Sequence, residues 1–262
     1  MNKRFFFLLS LQFVCIQVFA SDWGQTGHRV IGLVAEQHLT QQTRAAVHDL
    51  LDGESLAFVS TFGDEIRSIK DYDHLKPWHY VNMPLDKRYG EEEPNPKGDV
   101  YHAVNHCVGV LQDTNASRED KAFYLRLLVH FVGDLHQPMH VGRSEDRGGN
   151  AIKILWFGKK SNLHRVWDSE MINGYQMSYS ELADNLPIYT PAEQDEILNS
   201  TVLDWMHESQ SHAKQIYHSV TQDERLSYAY QQKHFPLVRD RLYKAGLRLA
   251  KLLNDIFDPT EG

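Results

Sequence analysis

Apolar residues recur at helical spacing along most of the chain, and one stretch is apolar on nearly every face. This stretch, residues 121–135, predicts a helix that is buried in the core. His130 and Asp134 interrupt it four positions apart and therefore share one helix face. Pro138 ends the helix, and His140 follows just beyond it. A buried imidazole and carboxylate are costly unless they pair with each other or bind a cation, so a structural pair and a metal site both remain open.

The rest of the pattern predicts an all-α fold, a single mainly helical domain with a small β-hairpin. A short strand at 150–157, followed by a turn at Gly158, predicts the hairpin. The last helix carries a basic stripe that we expect to face solvent, formed by Arg241, Lys244, Arg248 and Lys251. Helical spacing indicates further helices at 27–39, 40–51, 58–69, 100–111, 192–220 and 235–257.

The first twenty residues have the pattern of a secretory signal peptide. Two basic residues precede an apolar run, and Ala20 marks a small-residue cleavage position. The mature chain then starts at Ser21, or at Trp23 after further trimming, and residues 23–258 form one domain. The apolar run is too short to favour a membrane span. We therefore expect a periplasmic or secreted protein without stable membrane association, and we expect a monomer.

Cysteine content and charge narrow the function classes. Cys15 lies within the signal peptide, so the mature chain keeps Cys107 alone and cannot form an internal disulfide. A chain of this length can bury a full core without one. The formal net charge of -8 argues against a protein that grips duplex DNA over many phosphates. Phosphate binding would have to come from a local positive site, and bound metal ions would be one.

A second His-x-x-x-Asp pair occurs at His164 and Asp168, in the segment NLHRVWD. Two such pairs together with His140 indicate a metal cluster, because zinc accepts both imidazole nitrogen and carboxylate oxygen. Each further candidate is weak by itself, because such residues are more often ordinary surface or core residues. These further candidates are His28, Asp64 and His79.

Six segments point together to a known family. They are WGQTGH, GDEIR, WHYVN, HFVGDLHQPMH, GGN and NLHRVWD, in that order along the chain. In kind and order they resemble the zinc-dependent nucleases of the S1/P1 type, which are relatives of bacterial zinc phospholipase C. The resemblance runs from Trp23 to the last helix. It implies an all-helical domain with three zinc ions (Zn2+) in a cleft.

The resemblance also implies which residues hold the ions, in three groups. One ion is held by Asp64, His79, His130 and Asp134. The second ion shares Asp134 and adds His28 with the amine and carbonyl of Trp23. The third ion is held by His140, His164 and Asp168. Two metal ions about 3.5–4 Å apart can share a hydroxide that attacks at neutral pH. By the same resemblance, Arg67 stabilises charge on the phosphoryl group beside Asp64.

Substrate contacts follow from the same resemblance, with one departure. Tyr80 matches an aromatic residue that stacks on a nucleobase, which favours strands whose bases are unpaired. Asn82 stands where fungal relatives carry an aspartate that binds the base. Asparagine both donates and accepts, so the base preference should differ or broaden. His136 is not at a ligand position and is expected either to face solvent or to support a ligand.

The expected function is an exported trinuclear-zinc endonuclease and 3'-nucleotidase. Its substrates would be single-stranded DNA, RNA and nucleotides, with 5'-phosphate products. A phospholipase C-type phosphodiesterase is the alternative enzyme, but that branch typically ends its last motif with glutamate, where this chain has Asp168. A zinc-binding or storage protein is the non-enzyme alternative, but it would not explain the presence of Arg67.

Overall fold

The structure is a computed structural model, and it describes residues 23–259. The predicted signal peptide and Ser21, one of the two predicted starts, lie outside the described residues. Among residues 23–259, no helix combines the length and the apolarity that crossing a bilayer requires.

The centre of the fold is helix α6 (Arg118–His136), which begins at the cap residue Ser117. The Ser117 side chain accepts a hydrogen bond from the main-chain nitrogen of Asp120 and so satisfies one of the free donors of the first turn. The second half of α6 is buried on every face, with Leu128, Phe131 and Leu135 fully inaccessible to solvent. The predicted buried helix is therefore confirmed.

The other helices surround α6. Helix α5 packs along α6, and the long C-terminal helix α12 packs against both α6 and α1. The helices are α1 (Gln25–Gln37), α2 (Gln41–Leu50), α3 (Leu56–Val59), α4 (Phe62–Glu65), α5 (Val100–Gln112), α7 (Leu163–Arg165), α8 (Met171–Asn173), α9 (Tyr179–Ala183), α10 (Pro191–Leu198), α11 (Val202–His218) and α12 (Tyr228–Phe257). Tighter 3₁₀ turns cover Ile66–Ser68, Lys70–His79 and Pro138–Val141.

Two predicted helices are interrupted in the structure. The helix expected at 58–69 is divided after α3, where Ser60 Oγ donates to the carbonyl of Ala57 and so competes with the helical pattern. The helix expected at 192–220 is divided before α11, where Thr201 forms a capping box with Asp204. In both places a polar side chain bonds the local backbone, and hydrophobic spacing alone does not show this.

The small sheet contains the predicted hairpin and one strand more. Strand β1 (Lys153–Trp156) pairs antiparallel with β2 (Lys159–Asn162), with Ile154 opposite Ser161. Strand β3 (Glu224–Leu226) pairs parallel with the other edge of β1. Three residues are too few to give a strand pattern in the sequence, which is why β3 was not predicted. Strand β2 leads directly into α7 and places His164 next to the sheet.

The basic stripe of α12 is only partly exposed. Arg241 is fully buried and Arg248 is 4% exposed, so the prediction that the stripe faces solvent is wrong for these two residues. Both guanidinium groups contact Glu208 of α11, at 2.6 Å each. Lys244 contacts the same carboxylate at 2.9 Å. We call Glu208, Arg241, Lys244 and Arg248 the arginine cluster.

Candidate metal centre

Histidine and aspartate side chains converge at the C-terminal end of α6. They form three groups, and within each group the potential ligand atoms lie within 4.8 Å of one another. The groups are His28, His130 and Asp134; Asp64, His79 and His130; and His140, His164 and Asp168. Eight of the nine residues that the resemblance implied as ligands are thus brought together. We call these eight residues the histidine–aspartate centre.

Asp134 lies in the middle of this centre and is fully buried. Its Oδ2 atom lies 2.9 Å from His79 Nδ1 and 3.2 Å from His130 Nε2. Its Oδ1 atom lies 3.4 Å from His28 Nε2 and 3.4 Å from His140 Nδ1. The two oxygens of one carboxylate therefore face different sets of imidazoles, an arrangement that suits a carboxylate shared by two cations.

Three of the histidines are held in a defined tautomer by main-chain carbonyl groups. The Nδ1 atoms of His130, His140 and His164 each lie 2.8 Å from a carbonyl oxygen, those of Ser60, His79 and Gly148 respectively. A carbonyl oxygen only accepts, so Nδ1 carries a hydrogen, and in the neutral ring the lone pair is on Nε2. This support of the outer nitrogen is typical of histidines that bind metal ions.

The pKa values of His130 and Asp134 show that the centre attracts positive charge. Burial lowers the pKa of His130, but the carboxylates of Asp134 and Asp64 outweigh it and raise the pKa to about 9. Burial raises the pKa of Asp134, and the charges of His130 and His140 bring it well below its ordinary value. A proton held in this way can be replaced by a metal cation.

Two glycines allow the imidazoles to approach the backbone. A Cβ atom at Gly63 would lie 2.4 Å from His130 Cδ2, and one at Gly133 would lie 2.8 Å from His28 Nδ1. No other residue type fits at these positions unless the rings move. Gly63 stands directly before Asp64 in GDEIR, and Gly133 directly before Asp134. The sequence showed both glycines, but only the structure shows which rings they accommodate.

The second His-x-x-x-Asp pair differs in geometry from the first. His164 lies in α7, whereas Asp168 lies in a π-helical turn, Val166–Glu170. His164 Nε2 is 4.0 Å from Asp168 Oδ2, compared with 3.2 Å between His130 and Asp134. The wider turn separates the two ligand atoms more than an α-helical turn does, and such turns are frequent at functional sites.

Trp23, the ninth predicted ligand, lies at the start of the described chain. Its side chain is fully buried. The next residue, Gly24, donates its main-chain N–H to the carbonyl oxygen of Asp168 at 2.7 Å. The start of the described chain is therefore anchored to the segment that carries Asp168. The role of the Trp23 amine and carbonyl as ligands stays a prediction.

Arg67 contacts a residue of the centre, whereas Tyr80 and Asn82 follow the ligand candidate His79 along the chain. Arg67 Nη1 is 3.2 Å from Asp64 Oδ1, and a third of its side chain is exposed. Tyr80 and Asn82 line a cleft of about 420 Å³, and none of the eight residues of the centre is among the residues that line it. The main chain between them is fixed, because Val81 donates its N–H to the carbonyl of His140 at 2.8 Å.

Comparisons with known proteins identify the family of the chain. A family model described as S1/P1 nuclease matches residues 23–258. The chain belongs to this family. Endonuclease 4 of Arabidopsis thaliana is 32% identical over 270 residues, which cover 90% of this chain and 89% of the relative. Nuclease S1 of Aspergillus oryzae is 24% identical over 274 residues, covering 88% and 91%. Nuclease P1 of Penicillium citrinum is 29% identical over 171 residues, covering 61% and 63%. Membership of the S1/P1 nuclease family makes this chain an enzyme.

His136 of this S1/P1 family member is fully buried, so the expectation that it faces solvent is wrong. Its Nδ1 lies 2.8 Å from the carbonyl of Val132, and its Nε2 lies 3.0 Å from a guanidinium nitrogen of Arg248. Burial, together with the charges of Arg241 and Arg248, holds the pKa of His136 well below its ordinary value. The imidazole is therefore neutral and accepts from Arg248, on the side of α6 that faces the arginine cluster.

A fourth group of potential ligands contains Glu208, His212 and Asp240. Its carboxylates already have cationic partners, because Lys244 Nζ lies 2.9 Å from Glu208 and 3.2 Å from Asp240. Burial and the charge of Arg241 lower the pKa of His212 to about 4. A metal cation would meet these positive groups at once, so this group does not fit a metal site.

Proposed function

We propose that the chain is an exported trinuclear-zinc endonuclease and 3'-nucleotidase. It cleaves phosphodiester bonds of single-stranded DNA and RNA and leaves 5'-phosphate products. One observation carries the proposal: Asp134 is enclosed by four imidazoles, with each carboxylate oxygen facing a different pair. The names of the relatives, endonuclease and nuclease, support the same class of substrate.

The donor set fits zinc. Neutral imidazole nitrogens and carboxylate oxygens are ligands that zinc accepts, and Cys107 is buried as a free thiol. The first ion would be held by Asp64, His79, His130 and Asp134, the second by Asp134, His28 and Trp23, and the third by His140, His164 and Asp168. Bound zinc supplies a nucleophilic water at neutral pH and positive charge next to the phosphoryl oxygens.

The protein's own groups orient and bind the substrate. Asp64 holds Arg67 at 3.2 Å, so the guanidinium is fixed at the rim of the centre, where charge grows on the phosphoryl oxygens. Tyr80 is 38% exposed and offers its ring to an unpaired base. Asn82 lines the same cleft and offers one donor and one acceptor group to the base edge.

The first test is a comparison of substrates. Purified protein is assayed on single-stranded DNA, duplex DNA, RNA, a 3'-nucleotide and phosphatidylcholine, with and without a chelator. We expect chelator-sensitive hydrolysis of the single strands, of RNA and of the 3'-nucleotide. Hydrolysis of phosphatidylcholine alone would favour the phospholipase interpretation. Zinc binding without hydrolysis of any substrate would favour the storage protein.

The role of Arg67 is tested by Arg67→Ala. We expect the variant to keep its zinc and to lose about 10²–10³-fold in kcat, because the lost donor acts on charge that develops in the transition state. Zinc content and kcat on single-stranded DNA are measured together. Arg118→Ala is the matched control, because Arg118 is exposed and paired with Asp52 on the surface. Near-normal turnover of Arg67→Ala would show that Arg67 is only an ion-pair partner of Asp64.

The proposed ligand role of Trp23 requires that Trp23 become the first residue of the mature protein. An amide nitrogen within the chain is delocalised and is a poor ligand, whereas a terminal amine is available. Intact-mass measurement of the exported protein decides between Ser21 and Trp23. A mass that starts at Ser21, with three zinc ions and full activity, would contradict this part of the proposal.

A further inference from the structure

Gln137 lies between the two segments that carry the third ligand group. It is the cap residue between the end of α6 and the start of the 3₁₀ turn Pro138–Val141, and it is fully buried. Its side-chain Nε2 lies 3.0 Å from Asp168 Oδ1, and its Oε1 lies 2.6 Å from the main-chain nitrogen of Met139. Neither the predicted ligands nor the predicted substrate contacts include Gln137, although it belongs to the segment HFVGDLHQPMH.

The chemistry of its partners fixes the orientation of the Gln137 amide. A main-chain N–H only donates, so the side-chain atom that faces Met139 must be the oxygen. The NH₂ group therefore faces Asp168 and donates to its carboxylate. Both ends of the Gln137 amide are thus engaged, and the side chain is fully buried between the turn and the carboxylate.

This hydrogen bond distinguishes the two oxygens of Asp168. Oδ1 accepts from Gln137 and lies 3.5 Å from His140 Nε2, whereas Oδ2 lies 4.0 Å from His164 Nε2. Met139, the other partner of Gln137, is the residue directly before His140. One side chain thus joins the turn that carries His140 to the carboxylate of Asp168.

We propose that Gln137 is a positioning residue for the third zinc ion. It fixes the rotation of the Asp168 carboxylate and the distance of Asp168 from His140, so that the third group is ordered before the ion binds. The inference rests on the proposed three-ion centre. Groups that support metal ligands in this way typically contribute about 10–100-fold to metal affinity.

Two substitutions separate the two hydrogen bonds of Gln137. Gln137→Met removes both while keeping the volume of the side chain. Gln137→Glu keeps the acceptor for Met139 but places a second carboxylate against Asp168. If Gln137 served only to cap the turn, Gln137→Glu would behave like the wild type. We expect both variants to hold one of three zinc ions about 10–100-fold more weakly, in equilibrium competition with a chelator of known affinity.

A matched control and a double variant identify the ion that is weakened. Gln231→Met removes another buried glutamine, whose amide donates to the carbonyl of Met171 at 3.3 Å, and should leave all three zinc affinities unchanged. His164→Ala removes a ligand of the third group directly. In the His164→Ala background, Gln137→Met should cause no further loss, because the ion it supports is already absent.

The outcomes separate this inference from the proposed function. Wild-type protein that binds fewer than three ions would contradict the three-ion centre itself. Three ions in the wild type with unchanged affinities in Gln137→Met or in Gln137→Glu would overturn the role of Gln137 and leave the proposed function standing. A further loss in the His164→Ala background would also overturn it, because Gln137 would then act on ions outside the third group.

Discussion

Helix α6 separates two buried polar clusters of opposite construction. On one side, His130 and Asp134 face the histidine–aspartate centre; on the other, His136 faces the arginine cluster. In the arginine cluster, the carboxylate of Glu208 is contacted by two guanidinium groups and one ammonium group. In the centre, the carboxylate of Asp134 is contacted by four imidazoles, each of which is charged only when protonated.

The difference shows which cluster is complete without an added cation. A largely buried carboxylate needs compensating charge, and the arginine cluster carries its own because guanidinium groups stay protonated. The centre obtains compensation only from protons or from metal ions. The two clusters on either side of α6 therefore differ: the arginine cluster stabilises the end of a helix, and the histidine–aspartate centre is suited to bind metal.

The arginine cluster also stabilises the helix end that presents the centre. Arg241 Nε donates to the carbonyl of His136 at 3.1 Å. Ser209 Oγ donates to the carbonyl of Leu135 at 2.6 Å and accepts from Arg241 at 2.9 Å. Carbonyl groups in the last turn of a helix have no partner within the helix, so these contacts satisfy two of them. The end of α6 is thereby fixed just where Asp134 and His140 must be placed.

The largest effect is expected from Asp134→Asn. The substitution removes the charge that two ion sites would share, so we expect loss of at least one zinc ion and a fall in kcat of about 10³-fold or more. That is at or beyond the upper end of what removal of a single electrostatic donor costs. Zinc content by elemental analysis and turnover of single-stranded DNA are the measurements.

A matched control for Asp134→Asn is Asp99→Asn, because Asp99 is also buried but accepts from the main chain of His102 at the start of α5. This control should lose stability and keep the zinc content of the wild type. Equal zinc loss in both variants would mean that buried aspartates support the fold in general, and that the contrast between the two clusters is unfounded.

Much of the centre could be predicted because it depends on spacing. His130 and Asp134 share a face as a direct result of the helical period. Pro138 ends the helix, so His140 in the following turn lies close to Asp134. The π-helical turn could not be predicted, because the four-residue spacing of His164 and Asp168 is the same in either kind of helix. The all-α class with a small hairpin is confirmed, whereas β3 was too short to detect.

The arginine cluster could not be predicted because it depends on what packs against α12. The period of the helix shows that Arg241 and Arg248 lie on one face, but it does not show that Glu208 of α11 comes to meet them. A basic stripe on a helix usually faces water, and here the tertiary contacts of Arg241 and Arg248 overturned that expectation. Ser209 of α11 also contacts α6 directly, and helical spacing does not show this contact either.

The next largest effect is expected from Glu208→Gln. The substitution leaves the buried guanidinium groups of Arg241 and Arg248 facing each other without the shared anion. Removing one partner of a buried ion pair typically costs about 3–5 kcal/mol in the free energy of unfolding. Urea unfolding of the zinc-bound protein measures this loss. We expect zinc content to be unchanged, since Glu208 belongs to no ligand group of the centre.

Glu36→Gln is the control for Glu208→Gln. Glu36 is half-buried and accepts from the main-chain nitrogen of Leu56 at 2.6 Å, and the amide oxygen of glutamine can still accept there. Its substitution should cost far less than that of Glu208. If the two variants were equally stable, the arginine cluster would contribute nothing beyond ordinary hydrogen bonds. Loss of zinc from Glu208→Gln would show that the two clusters are not independent.

The smallest effect expected is on the pH dependence of zinc affinity. The pKa of His130 in the zinc-free fold is raised to about 9, since the charges of Asp134 and Asp64 outweigh the opposing effect of burial. Zinc binds the neutral imidazole, so binding at pH 7 must release this proton. Zinc affinity should therefore rise as the pH rises, by up to about tenfold per pH unit for one proton, and level off near pH 9. An ordinary histidine ligand would level off near its unperturbed value of about 6.5.

The contribution of the arginine cluster to stability should change only at acidic pH. Burial alone would raise the pKa of Glu208, but Arg241 and Arg248 hold it well below its ordinary value. Its contribution to stability is therefore present above the ordinary glutamate pKa and is lost only as the pH falls below it, so Glu208 does not titrate between pH 6.5 and 9. Chelator competition at several pH values measures zinc affinity in the wild type and in Glu208→Gln. The same rise up to about pH 9 is expected in each protein, because the proton that zinc displaces is on His130. A plateau that begins well below pH 9 in the wild type would show that Asp134 does not hold a proton on His130, and the contrast between the two sides of α6 would then rest on geometry alone.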